Sequence, residues 1–402
     1  MPKRKQILEG KSPFSMRLAS LRKEKGLNMD SLAQQVGVSK SYISLLESGG
    51  RQASRDVVLQ LAKVLADSDA DKLRDELLIL AGFAPVNTRA IAAYQDAIAV
   101  YEQTLLTEPN NFKLYSRLIM ALIKANRQAQ AQERIQQGLL QFKDVVQLQS
   151  LLAQLELSKG NFDAALINQE TALRQFDLPG QSTQVSQSDL IFNLGAIHFL
   201  RGYEALGHYL QDHLETAKQD SLDYFAAAET HFVKALQLAP EDVYVLDELA
   251  RLRFNQAYLR QSSEAWQKTI QTYRQLLTSP LKHNLGSQPL MESAAFLAHA
   301  YTKNKEFDQA ELTLGLLSAF NPGYWLVHYL EACLHSQRFE VQNNPMDLDS
   351  ALAALTRAFA SEGHEQARAE ALNDPDLQAL RTVRQAEFTK LLNVLNKETF
   401  TS

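Results

Sequence analysis

Ala97, Ala131 and Ala165 recur at an equal interval of about 34 residues, and this spacing constrains the possible folds of the chain more than any other feature. A small residue at a fixed period lets two helices approach closely at the same point of every copy. One such hairpin cannot bury its own apolar face, so the copies must stack. The phase persists further along. In AIAVYEQTLLTEP, AETHFVKALQLAP and AELTLGLLSAFNP, the alanines Ala97, Ala228 and Ala310 each precede a proline, Pro109, Pro240 and Pro322, by the same interval. Tyr101, Phe232 and Ala235 fall between them, and Gly160-Asn161-Phe162 and Leu194-Gly195 match further positions of the same pattern. From Thr88 onward proline and glycine are sparse and apolar residues recur at helical steps, which predicts helix almost throughout. Two stretches break the phase. Asp177 to Asp189 is polar and turn-rich and reads as a loop. Gly195 and Ala228 are separated by nearly three times the dozen or so positions that the repeat allows, so one hairpin is lengthened or carries an extra helix.

A different pattern governs the N-terminal part of the chain. Between Leu27 and Gly49, LNMDSLAQQVGVSKSYISLLESG describes two short helices joined by a tight turn. Leu32, Ala33 and Val36 give the first an apolar face. Gly37 sits where the chain reverses with positive φ, and Ser39 caps the second. Ile43 and Leu46 point inward from that second helix, leaving Lys40, Ser41, Ser44 and Leu45 on its outer face. The flanks agree. Phe14, Leu18 and Leu21 share a helical face that ends at Gly26, Ser54 caps a helix carrying Val57, Val58, Leu61, Ala62 and Leu65, and a further helix runs from Lys72 to Ala81.

Leu27, Leu32-Ala33, Gly37-Val38-Ser39, Ile43-Ser44, Glu47 and Gly49 together resemble the XRE (Cro/repressor-type) helix-turn-helix family over residues 14 to 66. Met29 stands where that family often has a glutamine that helps hold a phosphate, and Leu45 stands where a polar or basic residue is common. The alanine-spaced array resembles a divergent tetratricopeptide repeat of six or seven hairpins. The expected fold is therefore all-α: an N-terminal five-helix helix-turn-helix domain, residues 1–85, followed by a tetratricopeptide-like helical solenoid, residues 86–402. The pairing of these two parts resembles the architecture of the peptide-sensing RRNPP regulators.

Charge is distributed unevenly. Residues 1 to 63 hold 12 Lys/Arg against 5 Asp/Glu, a net +7 in a chain whose total is −5, and Pro2 to Lys5 (PKRK) opens it with a basic arm. A basic head on an acidic body suits phosphate binding at one end. The single cysteine, Cys333, excludes an intramolecular disulfide and agrees with a reducing cytoplasm. No stretch approaches the ~20 apolar residues of a membrane span, so no membrane partner is expected.

In an XRE-like domain the second helix of the motif reads bases, which assigns Lys40, Ser41, Tyr42, Ser44 and Leu45 to base edges. Lysine donates to guanine acceptors, serine hydroxyls pair either way, and leucine meets a thymine methyl. Arg17, Arg51 and Arg55 are expected at phosphates. Tetratricopeptide arrays present an inner face made by the first helix of each hairpin. Carrying the phase forward places Lys113, Arg117, Gln154, Asn193, Arg251, Asn255 and His299 there as candidate contacts for a peptide or protein partner.

An enzyme is not expected. The chain lacks a phosphate-cradling glycine loop, a His-Glu-x-x-His motif and paired cysteines. The spacing of His328, Cys333 and His335 does not gather them on one helical face, so neither a metal nor another cofactor is expected. The expectation is a cytoplasmic, dimeric regulator that binds double-stranded DNA and senses a peptide or protein. The alternative is a scaffold whose repeats recruit partners and whose small domain is a contact module.

Overall fold

The computed structural model describes residues 12–66, 70–83, 85, 91–178, 183–361 and 364–394, so the basic arm Pro2 to Lys5 lies outside the described residues. Among the described residues there are 21 α-helices, two short 3-10 turns and no strand. The chain divides into two compact units that part between Ile197 and His198.

In the first unit, α1 (Pro13–Glu24), α2 (Met29–Val36), α3 (Lys40–Ser48), α4 (Arg55–Leu65) and α5 (Ala70–Ala81) form the helix-turn-helix bundle. The local signals act as the sequence implies. Gly37 takes φ +79° and lets the Val38 N–H reach Ala33 O at 2.9 Å, which turns the chain tightly between α2 and α3. Ser39 and Ser54 accept hydrogen bonds from the backbone of Tyr42 and Val57, capping α3 and α4. Phe14, Leu18, Leu21, Leu32, Ala33, Ile43, Leu46, Val58, Leu61 and Leu65 meet in the core.

The hairpins follow as α6 (Ile91–Thr107), α7 (Phe112–Lys124) with α8 (Gln128–Gln141), and α9 (Val145–Ser158) with α10 (Phe162–Phe176). The partner of α6 is α5. Four consecutive residues of α5, Leu77, Leu78, Ile79 and Leu80, are buried, so no side of the helix at this point faces solvent. Tyr101 of α6 donates its hydroxyl to Ile79 O at 3.1 Å, and Lys72 pairs with Asp96 at 2.9 Å. α5 thus closes the DNA-binding-type bundle and serves as the first helix of the first hairpin. One apolar core runs from Phe14 to Leu155 without a break at residue 85.

α11 (Gln187–Asp212) carries the chain across the division, and its pair α12 (Glu215–Leu238) is nearly as long. The irregular spacing between Gly195 and Ala228 is therefore a lengthened hairpin and not an added helix. The polar loop after Asp177 ends earlier than expected, since helix resumes at Gln187. In the second unit α13 (Val243–Arg260) pairs with α14 (Ser263–Thr278), α15 (Ser287–Lys303) with α16 (Phe307–Phe320) and α17 (Trp325–Gln342) with α18 (Pro345–Ala360), giving seven hairpins among the described residues. A 3-10 turn, Lys282–Leu285, precedes α15. After α18 come α19 (His364–Ala371), a second 3-10 turn, Pro375–Leu377, α20 (Gln378–Val383) and α21 (Gln385–Val394).

The periodic alanines account for the pairing. Ala97, Ala131, Ala165, Ala228 and Ala310 all have zero exposure, each in the second helix of its hairpin. First helices of neighbouring hairpins also touch, α7 with α9 in the first unit and α13 with α15 and α15 with α17 in the second, and so line an inner row.

Candidate nucleic-acid interface and repeat face

α3 is held from behind and open in front. Ile43 and Leu46 are fully buried, while Lys40, Ser41, Ser44 and Leu45 are exposed along one side. Lys40 pairs with Asp30 at 2.6 Å, but the side chains are 60% and 63% exposed, so the pair is weak and leaves the ammonium available. Tyr42 is half-buried against the core, with the exposed Arg51 guanidinium 4.9 Å above its ring. Arg55 is half-buried in the first turn of α4. Met29 opens α2 and packs partly against the core, with Asn28 capping the helix.

Arg17, expected at a phosphate, is partly exposed and engages a carboxylate of its own bundle. Its Nε and Nη2 donate to Glu76 at 2.6 and 3.3 Å, tying α1 to α5, and Glu76 is nearly inaccessible. A pair that sequence reasoning missed fixes α3 itself. Arg22 of α1 grips Glu47 through Nε at 2.5 Å and Nη2 at 2.8 Å, and its Nη1 donates to Leu27 O at 2.9 Å. Both side chains are close to buried, so the bidentate geometry holds the last turn of α3 and the loop before α2 in one arrangement. Glu47 was visible as a motif position. Its distant partner on α1 was not, because no helical period connects them.

Of the repeat-face residues, Lys113, Arg117, Gln154 and Asn193 fall in the first unit. Lys113 and Arg117 line a cavity of about 460 Å³ together with Thr104, Asn111 and, from the bundle, Ser12 and Gln52. Arg117 lies over Gly82, whose φ of +91° favours glycine, and its guanidinium Nη2 would stand 2.7 Å from a Cβ there and would have to shift. Gln154 is half-buried on α9. Asn193 donates to Ser150 Oγ at 3.3 Å, and Ser150 donates to Gln169 at 2.9 Å, so it joins an internal polar chain.

Arg251, Asn255 and His299 fall in the second unit. Arg251 pairs with Asp247 at 3.2 Å and lies 3.8 Å from Glu292, while Asn255 donates to Arg251 O on its own helix. Burial pushes the Asp247 carboxyl above the usual range, against the pull of Arg251 and the hydrogen bond from Ser293. The His299 ring lies 5.3 Å from that of Phe254, and its Nε2 is 2.8 Å from Asp376 Oδ2. Lys303 donates to the other oxygen of the same carboxylate at 2.6 Å. Burial alone would raise the Asp376 pKa, but these two partners outweigh it and hold the carboxyl at about 2.

His328, Cys333 and His335 engage separate partners: Glu331 and Pro322 O for His328, Asp374 for Cys333, Asp347 and Arg338 for His335. Burial pushes the Cys333 thiol well up. No group of three or more potential metal ligands occurs among the described residues, and no described helix is long and apolar enough to cross a membrane.

Comparison with known proteins agrees with this geometry. Residues 18–72 match the helix-turn-helix family model and residues 92–155 match a tetratricopeptide repeat model. The chain therefore carries an XRE-type helix-turn-helix at its N-terminal end and tetratricopeptide repeats after it. No curated protein matches the chain. Among solved structures it is similar to a monomeric IFIT1 mutant with m7Gppp-AAAA, at 13% identity and a TM-score of 0.47, covering 90% of each chain. It is similar to the APC/C hetero-tetramer Cut9-Hcn1 at 15% identity and a TM-score of 0.40, covering 91% of this chain and 74% of that one. It is also similar to Bacillus thuringiensis PlcR in complex with the peptide PapR7 and DNA, at 12% identity and a TM-score of 0.30, covering 77% of this chain and 98% of that one. At such scores the likenesses carry no functional argument.

Proposed function

We propose that this protein is a sequence-specific, DNA-binding transcription regulator of the cytoplasm whose helical repeats bind a peptide or protein that alters DNA binding. The observation that carries the reading is α3. Its inward residues Ile43 and Leu46 and its Glu47 anchor hold it to the bundle, while Lys40, Ser41, Ser44 and Leu45 project outward with no part in the core. A capped helix with a short-chain polar outer face is what a major groove admits. Arg51 and Arg55 are the proposed phosphate contacts, and Arg17 supports the bundle through Glu76. Tyr42 acts by seating Arg51. A dimer would set two α3 helices on half-sites one helical turn apart.

The test is selection of genomic fragments with the purified full chain, followed by titration at two salt concentrations. A shared sequence among the bound fragments, with affinity falling steeply as salt rises, is the expected result. An unselective or empty pool at low salt overturns the reading in favour of a scaffold. Sensing makes its own demand: a ligand that changes operator affinity must have its own affinity changed by operator to the same factor.

A further inference from the structure

The C-terminal segment does more than cover the end of the repeats. Ala367, Ala371, Leu377 and Leu380 are fully buried in one core with α17 and α18, and this apolar surface closes the last hairpin. Asp374 and Asp376 reach beyond it onto the inner row. Tyr329 Oη of α17 donates to Asp374 Oδ2 at 2.6 Å. His299 and Lys303, which hold Asp376, belong to α15, one hairpin back from the end that needs closing. The Asp376 N–H donates to Asp374 Oδ1 at 2.9 Å, so the two carboxylates are presented by a single turn. Arg381 clasps that turn through the carbonyls of Ala371 and Asp374.

Burying carboxylates costs desolvation that apolar side chains of the same size would avoid. Here that cost is offset by a phenol, an imidazole and an ammonium on α15 and α17, a donor set that equally suits carboxylates from another chain, and Phe254 and Phe296, with ring centroids 5.2 Å apart, lie beside His299.

We propose that the inner face of the last two hairpins is a groove for an acidic peptide and that Asp374 to Asp376 occupy it in cis. A partner with two carboxylates at the same alternate spacing takes the same seats, one on Tyr329 and one on His299 and Lys303, by displacing the chain's own turn. The inference rests on the reading of the repeats as a partner-binding surface and adds the chemistry of the partner and its built-in competitor.

The test uses the full chain and a labelled peptide Leu-Asn-Asp-Pro-Asp-Leu-Gln, the sequence of residues 372–378, beside its counterpart with asparagine for both aspartates. With Asp374→Asn and Asp376→Asn together in the chain, the turn loses the charge that holds it in the seats and the acidic peptide binds about ten-fold tighter or more, because the competing closed state is weakened. The asparagine peptide shows no such gain, and adding Lys303→Met abolishes it. Because the double variant strands Lys303 and can fold poorly, the parent chain supplies a second readout. Saturating acidic peptide speeds hydrogen exchange in residues 371–384 several-fold while α17 stays protected. Equal affinity for parent and folded variant, no binding to either, or unchanged exchange at saturation overturns the proposal. A chain that rejects the acidic peptide yet shifts its DNA affinity with another ligand loses this inference and keeps the sensing reading. Binding of the acidic peptide with DNA affinity unchanged does the reverse.

Discussion

Lys40 and Ser44 are exposed on α3, and neither supports the core, so their substitution separates recognition from folding. Ser44→Glu or Lys40→Glu sets a carboxylate against the phosphate-lined groove and should abolish specific DNA binding. Helicity and melting temperature should stay nearly unchanged, within the ~0.5 kcal/mol typical of surface changes. Circular dichroism and a gel-shift titration check this, and a variant that unfolds would show that the outer face was misassigned. The inward and outward sides of α3 were legible because burial follows the helical period. Individual arginine partners were not. Arg17 and Arg22 differ in sequence only by position on α1, yet one binds Glu76 and the other Glu47, at separations of 59 and 25 residues. Such pairs are set by which helices pack together, and apolar spacing within a single helix cannot report that.

Helix pairing was legible wherever a small residue marked the crossing, as at Ala131 and Ala165, and less so where the period failed. Between α11 and α12 the crossing is made by Gly202. A Cβ there would meet the Phe225 ring at 2.7 Å, and Ser221 Oγ donates to Gly202 O at 2.8 Å, so the backbones approach more closely than any side chain on Gly202 permits. Further along the same helix, Gly207 faces open space. Opposite outcomes are expected from the two positions. Gly202→Val should cost about 1–3 kcal/mol through overpacking, whereas Gly207→Ala should gain about 0.5–1 kcal/mol by restricting the unfolded chain. Urea midpoints of the two variants measure the contrast, and similar shifts for both would mean that α11 and α12 do not cross at Gly202. The C-terminal turn was the least legible element. No spacing or motif marks Asp374 and Asp376, whose partners His299, Lys303 and Tyr329 lie on distant helices.

For the molecule as a whole, the expected boundary at residue 85 follows the change in sequence pattern, whereas packing does not stop there. The run Leu77-Leu78-Ile79-Leu80 held the signal, because a helix apolar on every side must be covered on every side. The bundle covers part of it and α6 the rest, with Tyr101 hydrogen-bonded to Ile79 O and Lys72 paired with Asp96. α5 is shared by the first hairpin and the bundle, and it carries the Glu76 that holds Arg17 of α1. On the proposed reading, this shared core is the route by which the repeats would act on the helix-turn-helix bundle. It also predicts that the bundle depends on the repeats for stability. A piece ending at residue 85 uncovers the Leu77 to Leu80 face, and leaving even two such side chains exposed costs roughly 3–6 kcal/mol, a large share of the ~5–15 kcal/mol a domain possesses. A piece ending at residue 178 keeps α6 to α10 and should unfold in one cooperative transition, several kcal/mol more stable by urea denaturation. Because α3 is identical in both, their DNA affinities should agree once corrected for the fraction folded. If the short piece melts at the same urea midpoint as the long one, α5 belongs to the bundle alone and the shared core transmits nothing.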